Sequence, residues 1–177
     1  NIGNPLISII TNIAKDHEAI LGNSIEDIAF EKAGIIKKGC ILISGETKPA
    51  ALKVLTDECR KKMALFYRIG EEFLVRDIKS RSNGLNRFCF RGKRWILKGL
   101  EINLRGTHQY FNAACAIKAL EILEEKGFCI SASSIRRGLK KVIWPGRLEI
   151  LSNLSPNVSI RERSFTGSRS SIKKHKN

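Results

Sequence analysis

The sequence predicts an α/β fold: a mostly parallel sheet flanked by helices, with a small antiparallel β insertion. Three observations predict it. Short β-branched runs alternate with stretches of helical period over residues 6–69, which is the signature of βαβ units with right-handed crossovers. Short strand-like stretches separated by turn residues follow over 73–104, and helical period returns after Gly106. The 177 residues, 42% hydrophobic and 28% charged, have the size and composition of about one globular domain.

The elements follow in order. LISIITNI, residues 6–13, reads as a strand buried on both faces, as in a parallel sheet. It ends in a polar turn at Lys15, Asp16 and His17. Ser24 and Asp27 form an S-x-x-D start signal for SIEDIAFEKAGII, where Ile25, Ile28, Ala29 and Ala33 recur at helical spacing and Gly34 ends the run. A second strand is predicted over 40–44. Pro49 then takes a first helical position, and Ala51, Leu52, Leu55, Cys59 and Met63 form an apolar stripe. Residues 65–69 complete the alternation as a third strand. The next four stretches, 73–78, 85–90, 94–97 and 100–104, are separated by turns such as Ser82-Asn83-Gly84 and predict an antiparallel meander. Tyr110, Ala113, Ala114, Ile117, Leu120 and Leu123 line one side of a long helix, and residues 131–139 form another short one.

Composition narrows the function. There are 32 Lys and Arg against 17 Asp and Glu, a net charge of +15, which raises a nucleic-acid-binding module as an alternative class, because basic surfaces bind phosphate backbones. Six basic residues and one Glu fall in residues 159–177 alone, a Ser-rich tail predicted to be disordered. The remaining excess is dispersed and has no aromatic-and-basic signature, so no specific nucleic acid is expected. Five cysteines, Cys40, Cys59, Cys89, Cys115 and Cys129, occur without any C-x-x-C pair, and their odd number argues against both a disulfide framework and a zinc site. Reduced thiols packed as small hydrophobes, and a cytoplasmic location, are expected. No membrane span is expected, since the apolar run at 6–14 is interrupted by Ser8, Thr11 and Asn12 and a span needs about 20 apolar residues. The start, Asn1-Ile2-Gly3-Asn4-Pro5, carries no Met and no secretory signal, and is expected to be cut from a longer chain.

His17 sits just after the first strand, at the carboxyl edge where open α/β sheets bind ligands. A lone loop histidine is ordinarily structural or solvated, and Lys32, in EKAGIIKKG, taken alone is an ordinary helix lysine. On spacing alone Asn112 is consistent with a cap, Arg147 with a partner of Glu149, and Trp144 with plain core.

Three ordered blocks change that reading. TNIAKDHEAILGNSIEDIAFEKAGIIKKG, then GTHQYFNAACAIKAL at 106–120, then WPGRLEIL at 144–151 together resemble the central ATPase domain of folylpolyglutamate and dihydrofolate synthases, members of the Mur ligase superfamily. The resemblance runs over residues 1–158, and Trp144-Pro145-Gly146-Arg147 favours the folate branch over the amino-acid-adding Mur ligases, which stand as the alternative within the enzyme class.

The resemblance implies a partial central ATP-binding domain over 1–158 and an ATP-dependent ligase. It would add L-glutamate to folate or dihydropteroate through an acyl phosphate, with ATP and Mg²⁺ as cofactors and a monomeric parent. It implies that His17 helps hold Mg²⁺ and that Lys32 is carbamylated, a modification that turns a cation into an anion beside metal and phosphate. Hard Mg²⁺ prefers oxygen ligands, so further ligands are needed. Asn112 would hydrogen-bond the adenine with its donor and acceptor, with Gln109 a weaker neighbour, and Arg147 would reach the ATP phosphates. Asp16, Glu31 and His108 belong to the blocks as structural support. The family's phosphate-binding loop has no counterpart here, since no G-x-x-x-x-G-K-[ST] occurs. Its L-D-G-A-H-N-P block is replaced by Ser159-Ile160-Arg161-Glu162-Arg163, as a shifted reading frame would produce. The isolated fragment is therefore expected to be inactive and poorly soluble.

Overall fold

A computed structural model describes residues 3–14, 24–79 and 86–144. The described residues between 7 and 68 form the predicted βαβαβ unit. Strands β1 (Ile7–Ile10), β2 (Ile41–Ser44) and β3 (Leu65–Arg68) make a parallel sheet in the order β1-β2-β3. Helices α1 (Ile25–Lys32) and α2 (Pro49–Lys61) connect them. Ser24 caps α1 as its spacing from Asp27 predicts, accepting the Asp27 N–H at 3.1 Å, and Pro49 opens α2.

Strand β2 is buried throughout, and its alternation feeds two cores. Leu42 packs with Ile10, Ile28, Ala29 and Leu55 under α1 and α2. Ile41 and Ile43 point the other way, into a larger core shared with the second sheet and the C-terminal helices. The expectation that the first strand is buried on both faces does not hold: among the described residues β1 has only β2 beside it, and Ile9 is 38% exposed. Its outer position in the three-strand sheet, which composition does not encode, is the reason.

Strands β4 (Leu74–Lys79), β5 (Asn86–Arg91) and β6 (Ile96–Ile102) form a three-stranded antiparallel sheet. Asn86, Phe88 and Phe90 alternate inward along β5, giving the sheet one core face. The stretches 94–97 and 100–104, expected as separate strands, are largely one strand. Gly99, at φ +60°, lets β6 carry an extra residue opposite Cys89, a β-bulge that bends the strand without ending it. The predicted turn at 82–84 lies outside the described residues.

Helix α3 (His108–Glu125) crosses between the sheets, and α4 (Ala132–Lys141) packs on β6. Within α3 a charged pair is sealed in the core. Lys118 Nζ donates to Glu121 Oε2 at 2.6 Å, the two side chains being 2% and 0% exposed. Glu121 Oε1 also accepts the N–H groups of Arg94 and Trp95, each at 2.8 Å, in the β5–β6 turn. The Lys118 ammonium lies 4.6 Å from the centre of the Tyr67 ring of β3, a cation–π contact. One pair thus joins α3 to both sheets.

Candidate functional site

Helices α3 and α4 and strand β6 line a cavity of about 730 Å³, within the size range of small-molecule sites. Most of its wall is apolar, with Ile102, Ala113, Ile117, Ile135 and Leu139 prominent, while Thr11, Gln109, Asn112 and Ser134 supply polar groups. Thr11 is the first residue past β1, so the cavity reaches the carboxyl edge of the parallel sheet, where α/β domains bind ligands.

Gln109 and Asn112 reach this cavity because they stand one turn apart on α3, in its N-terminal half. Asn112 Nδ2 donates to Gln109 Oε1 at 3.3 Å, which orients the Asn112 amide. Gln109 is buried, and its Nε2 lies 3.1 Å from His108 Nε2. Gly106, at φ +97°, is required there: a Cβ would lie 2.6 Å from His108 Cε1. The G-x-H-Q-x-x-N segment is therefore a built unit, with His108 supporting Gln109 and Gln109 supporting Asn112. Trp144 is half exposed and lines the same cavity, not the core.

The carboxyl edge of β2 carries a second polar cluster, at Ser44, Glu46 and Lys48. Glu46 is 1% exposed and accepts backbone N–H groups from both sides of the edge. In sequence G-E-T-K reads as an ordinary turn, which hides this cluster. The usable signal was its place, immediately after a buried strand.

Lys32 departs from expectation. The resemblance implies a carbamylated lysine facing inward, yet Lys32 is exposed at the last turn of α1, where Ile28, Ala29 and the following Ala33 make the buried contacts. An unmodified ammonium in water avoids the cost of burying an unpaired charge and sits favourably at the helix C-terminus. His17 and Arg147, with Asp16 and the tail 159–177, lie outside the described residues. Among the described residues no group of three or more His, Cys, Asp or Glu could hold a metal ion. They do not by themselves fit a Mg²⁺ centre.

All five cysteines are free. Burial pushes the Cys59 and Cys115 thiols up to about 12, so both are packing groups rather than nucleophiles. No helix among the described residues is long and apolar enough to cross a membrane.

A parallel three-strand sheet with its helices, beside an antiparallel three-strand sheet, defines a partial α/β domain. The chain belongs to the Mur ligase middle domain family, which it matches over residues 1–120. It is 38% identical over 157 residues to the dihydrofolate synthase/folylpolyglutamate synthase of Bacillus subtilis, covering 88% of this chain and 36% of that protein. Among solved structures, an FPGS-AMPPCP-folate complex superposes with a TM-score of 0.80 at 31% identity, covering 86% of this chain and 37% of that one. Folylpolyglutamate synthase from Thermotoga maritima superposes with a TM-score of 0.70 at 40% identity, covering 84% and 32%. The chain thus spans about a third of the length of these relatives.

Proposed function

We propose that this chain is the nucleotide-binding middle segment of an ATP-dependent ligase that joins L-glutamate to a folate, to dihydropteroate, or to both. The observation that carries the proposal is the cavity with Asn112 held by Gln109 on its wall, in a chain similar to a protein solved with AMPPCP and folate. In the proposed reaction a folate-linked carboxylate oxygen takes the terminal phosphoryl group of ATP, releasing ADP. The glutamate amine then attacks the acyl carbon, phosphate departs, the nitrogen loses a proton and the amide bond is formed.

The residues of this chain would bind and orient. Asn112 offers an acceptor and a donor to one edge of adenine, and the surrounding aliphatic wall takes the ring faces out of water. Arg147, on the resemblance, would meet developing charge on the phosphates. Mg²⁺ held by His17, with Lys32, exposed in this chain, carbamylated in the parent protein, belongs to the same proposal and rests on the sequence blocks alone. The proposed parent is a cytoplasmic monomer, and the chain alone is expected to be inactive because it carries no phosphate-binding loop motif.

The test is a chimera. Residues 1–158 replace the matching segment of the Bacillus subtilis relative, and ATP-dependent incorporation of labelled glutamate is measured with tetrahydrofolate and with dihydropteroate. Incorporation with at least one acceptor, and a KM for ATP raised about tenfold by Asn112→Ala, equivalent to one lost hydrogen bond, is the expected result. A folded chimera inactive with both acceptors would contradict it.

A further inference from the structure

The proposed reaction gives no task to the polar cluster at the end of β2. Its geometry is specific. Glu46 Oε2 accepts the Ile13 N–H at 2.6 Å, while Oε1 accepts the N–H groups of Thr47 at 2.7 Å and Lys48 at 2.8 Å. Lys48 Nζ lies 3.6 Å from Glu46 Oε1 and donates to the Ile13 carbonyl at 2.5 Å. Both peptide groups of one residue, Ile13, are therefore held by the side chains of one E-x-K pair.

This clamp acts where the sheet stops acting. The β1–β2 ladder ends at the Ile10–Ser44 pair, and among the described residues the segment 11–14 has no strand partner to set its path. Ser44 Oγ donates to the Ile10 carbonyl at 2.9 Å and accepts the Glu46 N–H at 3.1 Å, closing the network on the strand end. Gly45 brings the backbones together: a Cβ there would stand 2.5 Å from the Thr11 carbonyl oxygen and 3.1 Å from Cys115 Sγ of α3. Thr11, fixed between Ile10 and Ile13, lines the cavity together with Asn112.

A turn that only had to reverse the chain would not need a buried carboxylate, whose desolvation is offset here by three N–H donors and an ammonium. We propose that Glu46 and Lys48 are positioning residues for the cavity: by holding Ile13 they fix Thr11 against α3 and so set the wall that shares the cavity with Asn112. The ligand part of this inference rests on the reading of the cavity as an adenine site.

The experiment uses the full 177-residue chain, followed by amide NMR, with adenosine as the ligand. Two quantities are read: hydrogen exchange at the Ile13 amide, and adenosine affinity from the Asn112 side-chain shifts. Lys48 is 49% exposed, so Lys48→Met keeps a readout even where Glu46→Gln fails to fold. Lys48→Met is expected to speed Ile13 exchange and weaken adenosine binding each by about tenfold, the scale of one net hydrogen bond. Exchange in β2, β3 and α2 should stay unchanged, and Lys48→Arg should restore both quantities. Glu46→Gln should act in the same direction and more strongly. Unchanged Ile13 exchange in both variants would overturn the clamp. A loss spread evenly over the parallel sheet, with Lys48→Arg no better than Lys48→Met, would overturn it equally. Faster Ile13 exchange with unchanged adenosine affinity would overturn its positioning role. Failure of the wild-type chain to bind adenosine would instead overturn the adenine reading, and the clamp would then stand or fall on Ile13 exchange.

Discussion

Two buried carboxylates, Glu121 in α3 and Glu46 beyond β2, have the same number of donors around them and different surroundings. Glu121 takes an ammonium and two backbone N–H groups in a dry junction, its partner Lys118 being 2% exposed. Glu46 takes three backbone N–H groups, and its cationic neighbour Lys48 is half in water. The sealed pair binds one helix to two sheets, so its loss is a loss of assembly. The open one holds a short segment beside a cavity, so its loss is local. Burial of the cation separates the two roles.

That contrast can be broken most forcefully at Lys118. Lys118→Met leaves the Glu121 carboxylate buried without its counter-ion and is expected to cost about 3–5 kcal/mol of stability, measured by denaturant unfolding. A cost below that of an exposed pair would erase the distinction. Next comes Gly92→Ala, whose new Cβ would meet Glu121 Oε1 at 2.5 Å. The carboxylate is pinned by three donors and cannot retreat, so about 1–3 kcal/mol should be lost, again by denaturant.

Acid sharpens the comparison further. Burial raises the Glu121 carboxyl, but the Lys118 hydrogen bond and the Trp95 and Arg94 N–H groups outweigh it and hold the group below the usual carboxylate range. A folded-state value below the unfolded one gives stability that is present above the unfolded pKa and is lost as pH falls through the folded value. Unfolding free energy followed from about pH 5 downward should therefore fall more steeply in the wild type than in a Lys118→Met/Glu121→Leu double variant, which lacks the titrating pair. The smallest effect is expected from Lys48→Met, about 1 kcal/mol or less in global stability, with the change confined to Ile13 and its neighbours.

The same contrast explains what was legible in the sequence. Periodicity exposed the βαβ alternation, and capping chemistry marked the starts of α1 and α2 at Ser24 and Pro49, because both signals are local. The outer position of β1 is a property of the whole sheet, and eight apolar-rich residues at 6–13 carry no trace of it. Gly99 reads as a turn between two strands in one dimension, while in space its φ of +60° makes a bulge inside one strand. Lys32 falls at helical spacing from Ile28 and Ala29, yet the wheel does not say where the packed surface ends, and Lys32 extends beyond it into solvent. Lys118 and Glu121 were readable in principle, as an i, i+3 pair of opposite charges inside an apolar stripe. The Asn112 assignment needed the G-x-H-Q-x-x-N block, since the amide alone is compatible with a solvated helix face.

Adenine in the cavity between α3 and α4 is the central element of the proposed function. Intermolecular nuclear Overhauser effects between adenosine and the ¹⁵N,¹³C-labelled chain test this directly. The base protons should show contacts to the Asn112 side-chain amide, the Ala113 methyl and the Leu139 methyls, and Asn112→Ala should remove them. Contacts from the base to the exposed basic residues of α4, Arg136, Arg137, Lys140 and Lys141, with none to the cavity, would contradict adenine binding there.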